Sequence, residues 1–200
     1  MTTEDAVPAA VVANRLFILI LQHPRERHEP LGTAETARAA LKRAELAIGL
    51  SWPNLNRVLG RRADPHRWAV AYLGSARPRA FGDGVGEVVL VDRSGEPRPD
   101  AEAVLRNLEG VIVLDGAWKE AKTLWWRNPW LLKLHRLVLN PSRPSRYGRL
   151  RREPRREALS TIEAVALLLK NLEGGEGAEA ELLASFDRLL ASAATPPASA

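Results

Sequence analysis

The sequence predicts an α/β fold in which a mainly parallel sheet carries helices on both faces. Two observations lead there. Short β-branched or aliphatic runs alternate along the chain with segments of helical spacing, the order produced when parallel strands are joined by crossover helices. The 200 residues are 46% hydrophobic and 26% charged, enough apolar surface for one sizeable core and too much for a disordered chain. In an open sheet of this kind, ligands bind outside the carboxyl ends of the strands.

Taken in order, Leu16 to Leu21 is a buried strand running into Gln22-His23-Pro24-Arg25-Glu26, and the alanine-rich stretch Thr33 to Ala44 is a helix. A second strand lies near Leu46 to Leu50, before the turn Ser51-Trp52-Pro53. Trp68 to Leu73 is a third, ending in Gly74-Ser75, and Glu87 to Val91 a fourth. Ala101 to Leu108 is helical, and Val111 to Leu114 is a strand that flows into a helix from about Ala117. Leu134 to Leu139 is the last strand, and Ala158 to Leu172 a nearly all-apolar helix. Beyond Gly174-Gly175, Leu182, Leu183, Phe186, Leu189 and Leu190 recur at helical spacing and mark a docking helix. The expected division is a main domain over 1–173, a docking helix over 174–193 and a disordered tail over 194–200.

Composition excludes several chemistries. With no cysteine there is no disulfide, thiolate nucleophile or Cys-ligated zinc. His23, His28, His66 and His135 show neither His-x-x-x-His nor HExxH spacing, so no metal is expected. Apolar runs such as Leu16–Leu21 and Val88–Val91 are too short to span a bilayer, and MTTED is not a signal peptide. A cytoplasmic protein with no membrane partner is expected. Gly82-Asp83-Gly84-Val85-Gly86 precedes a β-branched run rather than a helix and reads as a turn. Neither a Walker A motif nor a G-x-S-x-G elbow is present. His23, at a strand end beside Pro24, reads as a hydrogen-bonded structural residue.

What remains points to a polyanion that carries flat rings. Net charge is only +5, but Arg143 to Arg156 holds seven arginines and a single acid, Glu153. A basic block beside prolines is often a solvated loop; arginine tilts the reading, because its planar fork grips phosphate bidentately and stacks on bases. Trp118, Trp125, Trp126 and Trp130 crowd thirteen positions. Core packing is the ordinary role of each ring, yet four in so short a stretch suggest that one walls a cofactor or base pocket. Asp115 ends a buried strand. Its ordinary role is to cap the helix that follows; its sharper one is a carboxylate in the ligand crevice that takes a proton or orients a base. Ser160-Thr161-Ile162-Glu163 is a capping box that also presents helix-start backbone to polar or anionic ligands.

These pieces resemble the DTW-domain family of tRNA-uridine aminocarboxypropyltransferases, relatives of the knotted SPOUT-type methyltransferases. The resemblance is carried by ILQHPRE at Ile20 to Glu26, LDGAW at Leu114 to Trp118, PSRYGRLRREP at Pro144 to Pro154 and LSTIEA at Leu159 to Ala164. It spans Leu16 to about Leu172. Where the family motif reads Asp-x-Thr-Trp, this chain has Ala117 in the third position, and it lacks the N-terminal cysteine cluster of many relatives.

The resemblance implies a SPOUT-like fold with a C-terminal trefoil knot, and transfer of the 3-amino-3-carboxypropyl group of S-adenosylmethionine to N3 of a tRNA uridine. Asp115 is the implied catalytic residue. The implied cofactor cradle comprises Leu73, Gly74, Ser75, Leu114, Gly116, Trp118, Leu150, Leu159, Ser160 and Thr161. The expected RNA contacts are Arg25, Arg143, Arg146, Tyr147, Arg149, Arg151 and Arg152. A monomer or weak homodimer is expected, since the apolar helix from Ala158 suits a threaded core element and an oligomer interface equally. The alternatives are a SPOUT-like RNA methyltransferase and a non-catalytic RNA-binding module.

Overall fold

The computed structural model describes residues 11–72, 74, 76, 78, 81, 85–147 and 159–194. Six strands form one sheet: β1 (Phe17–Gln22), β2 (Ala44–Ile48), β3 (Trp68–Ala71), β4 (Val88–Val91), β5 (Gly110–Asp115) and β6 (His135–Leu139). Their order across the sheet is β2-β1-β5-β3-β6-β4. Every neighbouring pair is parallel except β4 with β6, an antiparallel edge.

Strands β1, β3, β4 and β5 read as nearly unbroken apolar runs because both faces are covered. On one face Ile18, Ile20, Val111, Val113 and Leu137 pack against α1 (Ala34–Ala39), α3 (Ala101–Arg106), α5 (Thr161–Glu173) and α6 (Glu176–Ala194). On the other, Leu19, Leu21, Ile112, Trp68 and Val70 meet α2 (Leu55–Leu59), Trp125 of α4 (Trp118–Arg127) and the 3-10 helix Pro129–Lys133.

Helix α5 is the buried spine of the first face, with Thr161 through Leu169 all buried. Ser160 and Glu163 close a reciprocal capping box at its start, and Gly174, in the left-handed conformation at φ 67°, ends it. The Glu173 carboxylate then accepts from the backbone N–H of Arg15 at 3.0 Å and of Leu16 at 2.7 Å, tying the helix end to the entry of β1. Helix α6 folds back with Leu182 and Phe186 fully buried.

Several boundaries differ from the sequence expectation. The helix expected over Thr33 to Ala44 ends at Ala39, and the second strand begins at Ala44 rather than Leu46. Alanine propensity would have carried the helix on, but Arg43 is claimed elsewhere: its carbonyl accepts from Ile18 N at 2.9 Å, and the Asn14 amide holds both its N–H and its C=O at 3.0 Å. Tertiary pairing overrides local propensity here. The short α2 and the 3-10 helices were not foreseen. Residues 195–200 of the expected tail, and Gly82-Asp83-Gly84, lie outside the described residues.

Gly110 lets the central strand start beneath a tryptophan. A Cβ there would sit 2.6 Å from Trp68 Cη2 and 2.8 Å from the Phe17 carbonyl oxygen, and Trp68 has no exposed surface into which to retreat. Gly110→Ala is therefore expected to cost about 1–3 kcal/mol through overpacking, seen as a lower urea midpoint with an unchanged m-value.

Candidate active site

Strands β5, β3 and β6 are consecutive and parallel, so their carboxyl ends open together on one edge of the sheet. Asp115 is the last residue of β5. Side chains alternate along a strand, so Asp115 shares the side of Val111 and Val113, the face of α5. The parallel register sets Gln22, the last residue of β1, beside it.

The Asp115 side chain is held from two directions. Gln22 Nε2 donates to Oδ2 at 2.9 Å, and the Thr161 hydroxyl, in the first turn of α5, donates to Oδ1. Its backbone carbonyl accepts from His23 N at 3.0 Å. With the residue only 9% exposed, an ionised carboxylate must be satisfied by such donors. They also fix its orientation. His23 is buried, and its Nδ1 accepts from Arg25 N at 3.2 Å to cap the 3-10 helix Pro24–His28.

Asp115 does not cap α4. The N-cap is Ala117, extended at φ −56° and ψ 166° with no side-chain cap bond, and its N–H donates to Glu26 Oε1 at 3.1 Å. Two segments ninety-one residues apart thereby meet at the crevice. Arg25 reaches Glu120, in the first turn of α4, at 3.6 Å. Gly116 permits this crowding, because a Cβ there would lie 2.7 Å from the Glu120 Cβ.

The other expected cradle residues distribute unevenly. Trp118 opens α4 and is 40% exposed at the crevice end of the sheet. Leu114 packs on the opposite face, and Leu159 packs at the edge of the α5 core. The Ser160 hydroxyl is committed to the capping box, accepting from Glu163 N at 3.3 Å. Gly74, left-handed at φ 57°, follows β3; a Cβ would come within 2.9 Å of Arg136 Nη1. Leu73, Ser75 and Leu150 lie outside the described residues.

Among the expected RNA contacts, Arg25, Arg143 and Arg146 are exposed or nearly so, and Arg146 pairs with Asp187 of α6 at 2.6 Å. Tyr147 is a correction. It is 3% exposed, its hydroxyl donates to the Leu31 carbonyl at 2.6 Å, and its ring meets Phe186 edge-on at 5.0 Å. Burying a flat amphipathic ring with its hydroxyl satisfied uses it for packing, so it offers no stacking surface to a base. Arg149, Arg151 and Arg152, with Arg155 and Arg156, lie outside the described residues.

Sequence reasoning gave no individual role to Gln22 or Glu26, and to Glu163 only its part in the capping box. Glu163 is 7% exposed and accepts from Ser145 Oγ and Arg146 N, each at 2.7 Å, and from Ser160 N at 2.9 Å. It thus anchors the segment after β6 to the start of α5. The usable signal was polar residues ending apolar runs at Gln22 and Asp115. Among the described residues, no group of His, Cys, Asp and Glu could hold a metal ion, and no helix is long and apolar enough to cross a membrane.

The DTW domain model matches residues 3–194. A curated relative, the tRNA-uridine aminocarboxypropyltransferase 2 of Macaca fascicularis, is 25% identical over 194 residues, covering 92% of this chain and 56% of that protein. The chain thus spans little more than half the length of that relative. No solved structure matches.

The geometry at Ala117 gives the residue at this motif position a structural meaning: it is the N-cap of α4. A threonine hydroxyl there would accept from a first-turn N–H. Ala117→Thr is expected to raise stability by about 1 kcal/mol, read as a higher denaturant midpoint, whether or not turnover changes.

Proposed function

The chain belongs to the DTW-domain family, and from that premise we propose that it transfers the 3-amino-3-carboxypropyl group of S-adenosylmethionine to N3 of a uridine in tRNA, releasing methylthioadenosine. The observation that carries the reading is the oriented, buried carboxylate of Asp115 at the carboxyl end of the central strand, inside the run LDGAW. The relative's name supports the transferase class and the tRNA substrate.

The described residues suit the cofactor in chemical type. An acid at the crevice complements a ligand carrying a sulfonium and an ammonium, and a half-exposed Trp118 offers an aromatic face to an adenine or a base. When bound, the sulfonium supplies an electrophilic carbon with a neutral leaving group.

The protein's part is to orient and to move one proton. Asp115 takes the imide proton as the N3–carbon bond forms and the carbon–sulfur bond breaks, and the carboxylic acid then returns that proton to solvent. Gln22 and Thr161 hold the carboxylate in the orientation that this requires. The exposed arginines Arg25, Arg143 and Arg146, with Arg149, Arg151 and Arg152, serve the RNA backbone in this reading. The same proposal extends to a SPOUT-like fold with a C-terminal knot, supported by the mainly parallel sheet and by an α5 buried along most of its length.

Incubation with S-adenosylmethionine and bulk tRNA, followed by nucleoside mass spectrometry, tests it: aminocarboxypropyluridine and methylthioadenosine should appear. Methylated nucleoside with S-adenosylhomocysteine would instead make the protein a methyltransferase, and neither product would leave an RNA-binding module. Within the active reading, Asp115→Asn should keep the fold, because the amide oxygen still accepts from Thr161 and the Gln22 amide can rotate to accept the new N–H. Loss of the proton acceptor should slow single-turnover transfer about 10²- to 10⁴-fold; wild-type turnover would reduce Asp115 to a structural role.

A further inference from the structure

A pocket of about 590 Å³ lies among the end of β4, Trp125 of α4, the 3-10 helix Pro129–Lys133 and the start of β6. It is on the other side of the sheet from Asp115: Leu137 packs on the α5 face, so Arg136, its neighbour in β6, points the opposite way. Register aligns Arg136 with Val70 and Val70 with Ile112. Asp115 is therefore two strands across and three residues along, on the order of 14 Å away between Cα atoms for spacings of ~4.8 Å and ~3.3 Å.

The pocket is cationic, and only part of its charge is met by acids. Arg93, Arg98, Lys133 and Arg136 all line it, with Asp92 the acid among them. Asp92 Oδ1 is occupied with its own turn, accepting from Ser94 Oγ, Gly95 N and Glu96 N. Arg98 is engaged by Asp100 at 2.5 and 2.9 Å. Among the described residues, no acid pairs with Arg93 or Lys133.

Arg136 is the least satisfied. One Nη donates to the Asp92 carbonyl at 3.0 Å, while its Nε is buried with no hydrogen-bond partner. Burial lowers the guanidinium pKa from its ordinary value. An anion arriving there would relieve a desolvated charge. Beside it Trp125 is held by stacking on Tyr72, with centroids 4.3 Å apart and 16° between planes, so the pocket joins cationic side chains to a held aromatic wall.

We propose that this pocket is a second RNA contact, taking a backbone phosphate of the tRNA among Arg93, Lys133 and Arg136 with the adjoining ribose or base against Trp125. The inference rests on the tRNA reading above and adds a binding surface separate from the Asp115 crevice. Cations in excess of acids beside an aromatic ring are the features by which proteins grip a nucleic-acid strand.

The test is the double variant Arg93→Gln/Lys133→Gln. Both residues are exposed and pair with no acid among the described residues, so its melting temperature should equal that of wild type. Binding to bulk tRNA is measured by fluorescence anisotropy across a sodium chloride series, and S-adenosylmethionine binding by calorimetry. Removing two of the three cations that grip this phosphate should weaken tRNA binding and flatten the log-log salt slope by up to roughly 0.7 to 0.9, with cofactor affinity unchanged. An unchanged slope in a variant of wild-type stability overturns the inference, even if the wild type modifies tRNA. A flattened slope beside a wild type that transfers nothing to tRNA would keep the pocket and remove the proposed activity.

Discussion

A buried carboxylate with strand and helix donors around it organises this molecule. Asp115 sits at the end of the central strand with little solvent, and a charge placed there is tolerable only if donors meet it. Two of those donors come from distant parts of the chain, Gln22 of β1 and Thr161 of α5. Satisfying one charge therefore sets how the first strand lies beside the fifth and where the buried helix begins. Glu163, one turn position along, repeats the device with Ser145, Arg146 and Ser160. The two acids share a helix start, so the crevice edge is shaped by polar demand while apolar packing supplies the bulk.

The same economy separates the sheet's two faces. The α5 side is closed by helices that leave Asp115 at the rim. The opposite side is covered by α2, Trp125 and the 3-10 helix near β1, β5 and β3, while toward β6 and β4 a smaller cluster of Ala76, Val89, Val91 and Val138 takes over beside a pocket that Arg93, Lys133 and Arg136 line. Arg136 occupies a strand position that would otherwise read as core. Its burial carries a desolvation cost that lowers the guanidinium pKa.

The fold class was legible because burial on both faces demands continuous apolar runs, which Leu16 to Leu21 and Val111 to Leu114 display. Boundaries were less so: nothing local in Arg43 says that Asn14 will hold its backbone. Asp115 and the Ser160 box stood out as polar punctuation, whereas the partnership of Gln22 with Asp115 depends on strand register, and that of Glu26 with Ala117 on chain reversal across ninety-one residues. Tyr147 misled because a tyrosine amid arginines looks like a stacking platform, while Phe186, which it packs against, lies thirty-nine positions away in α6.

The strand order carries a kinetic consequence. β1 finds β2 soon after it is made, but its other edge waits for β5, whose Asp115 follows Gln22 by 93 residues, and its entry waits longer still for Glu173, 158 residues after Arg15. During synthesis the run FILILQ thus spends much of its early life as an open, sticky edge. Long-range pairing of this kind makes folding slow and exposes partly built sheets to wrong partners.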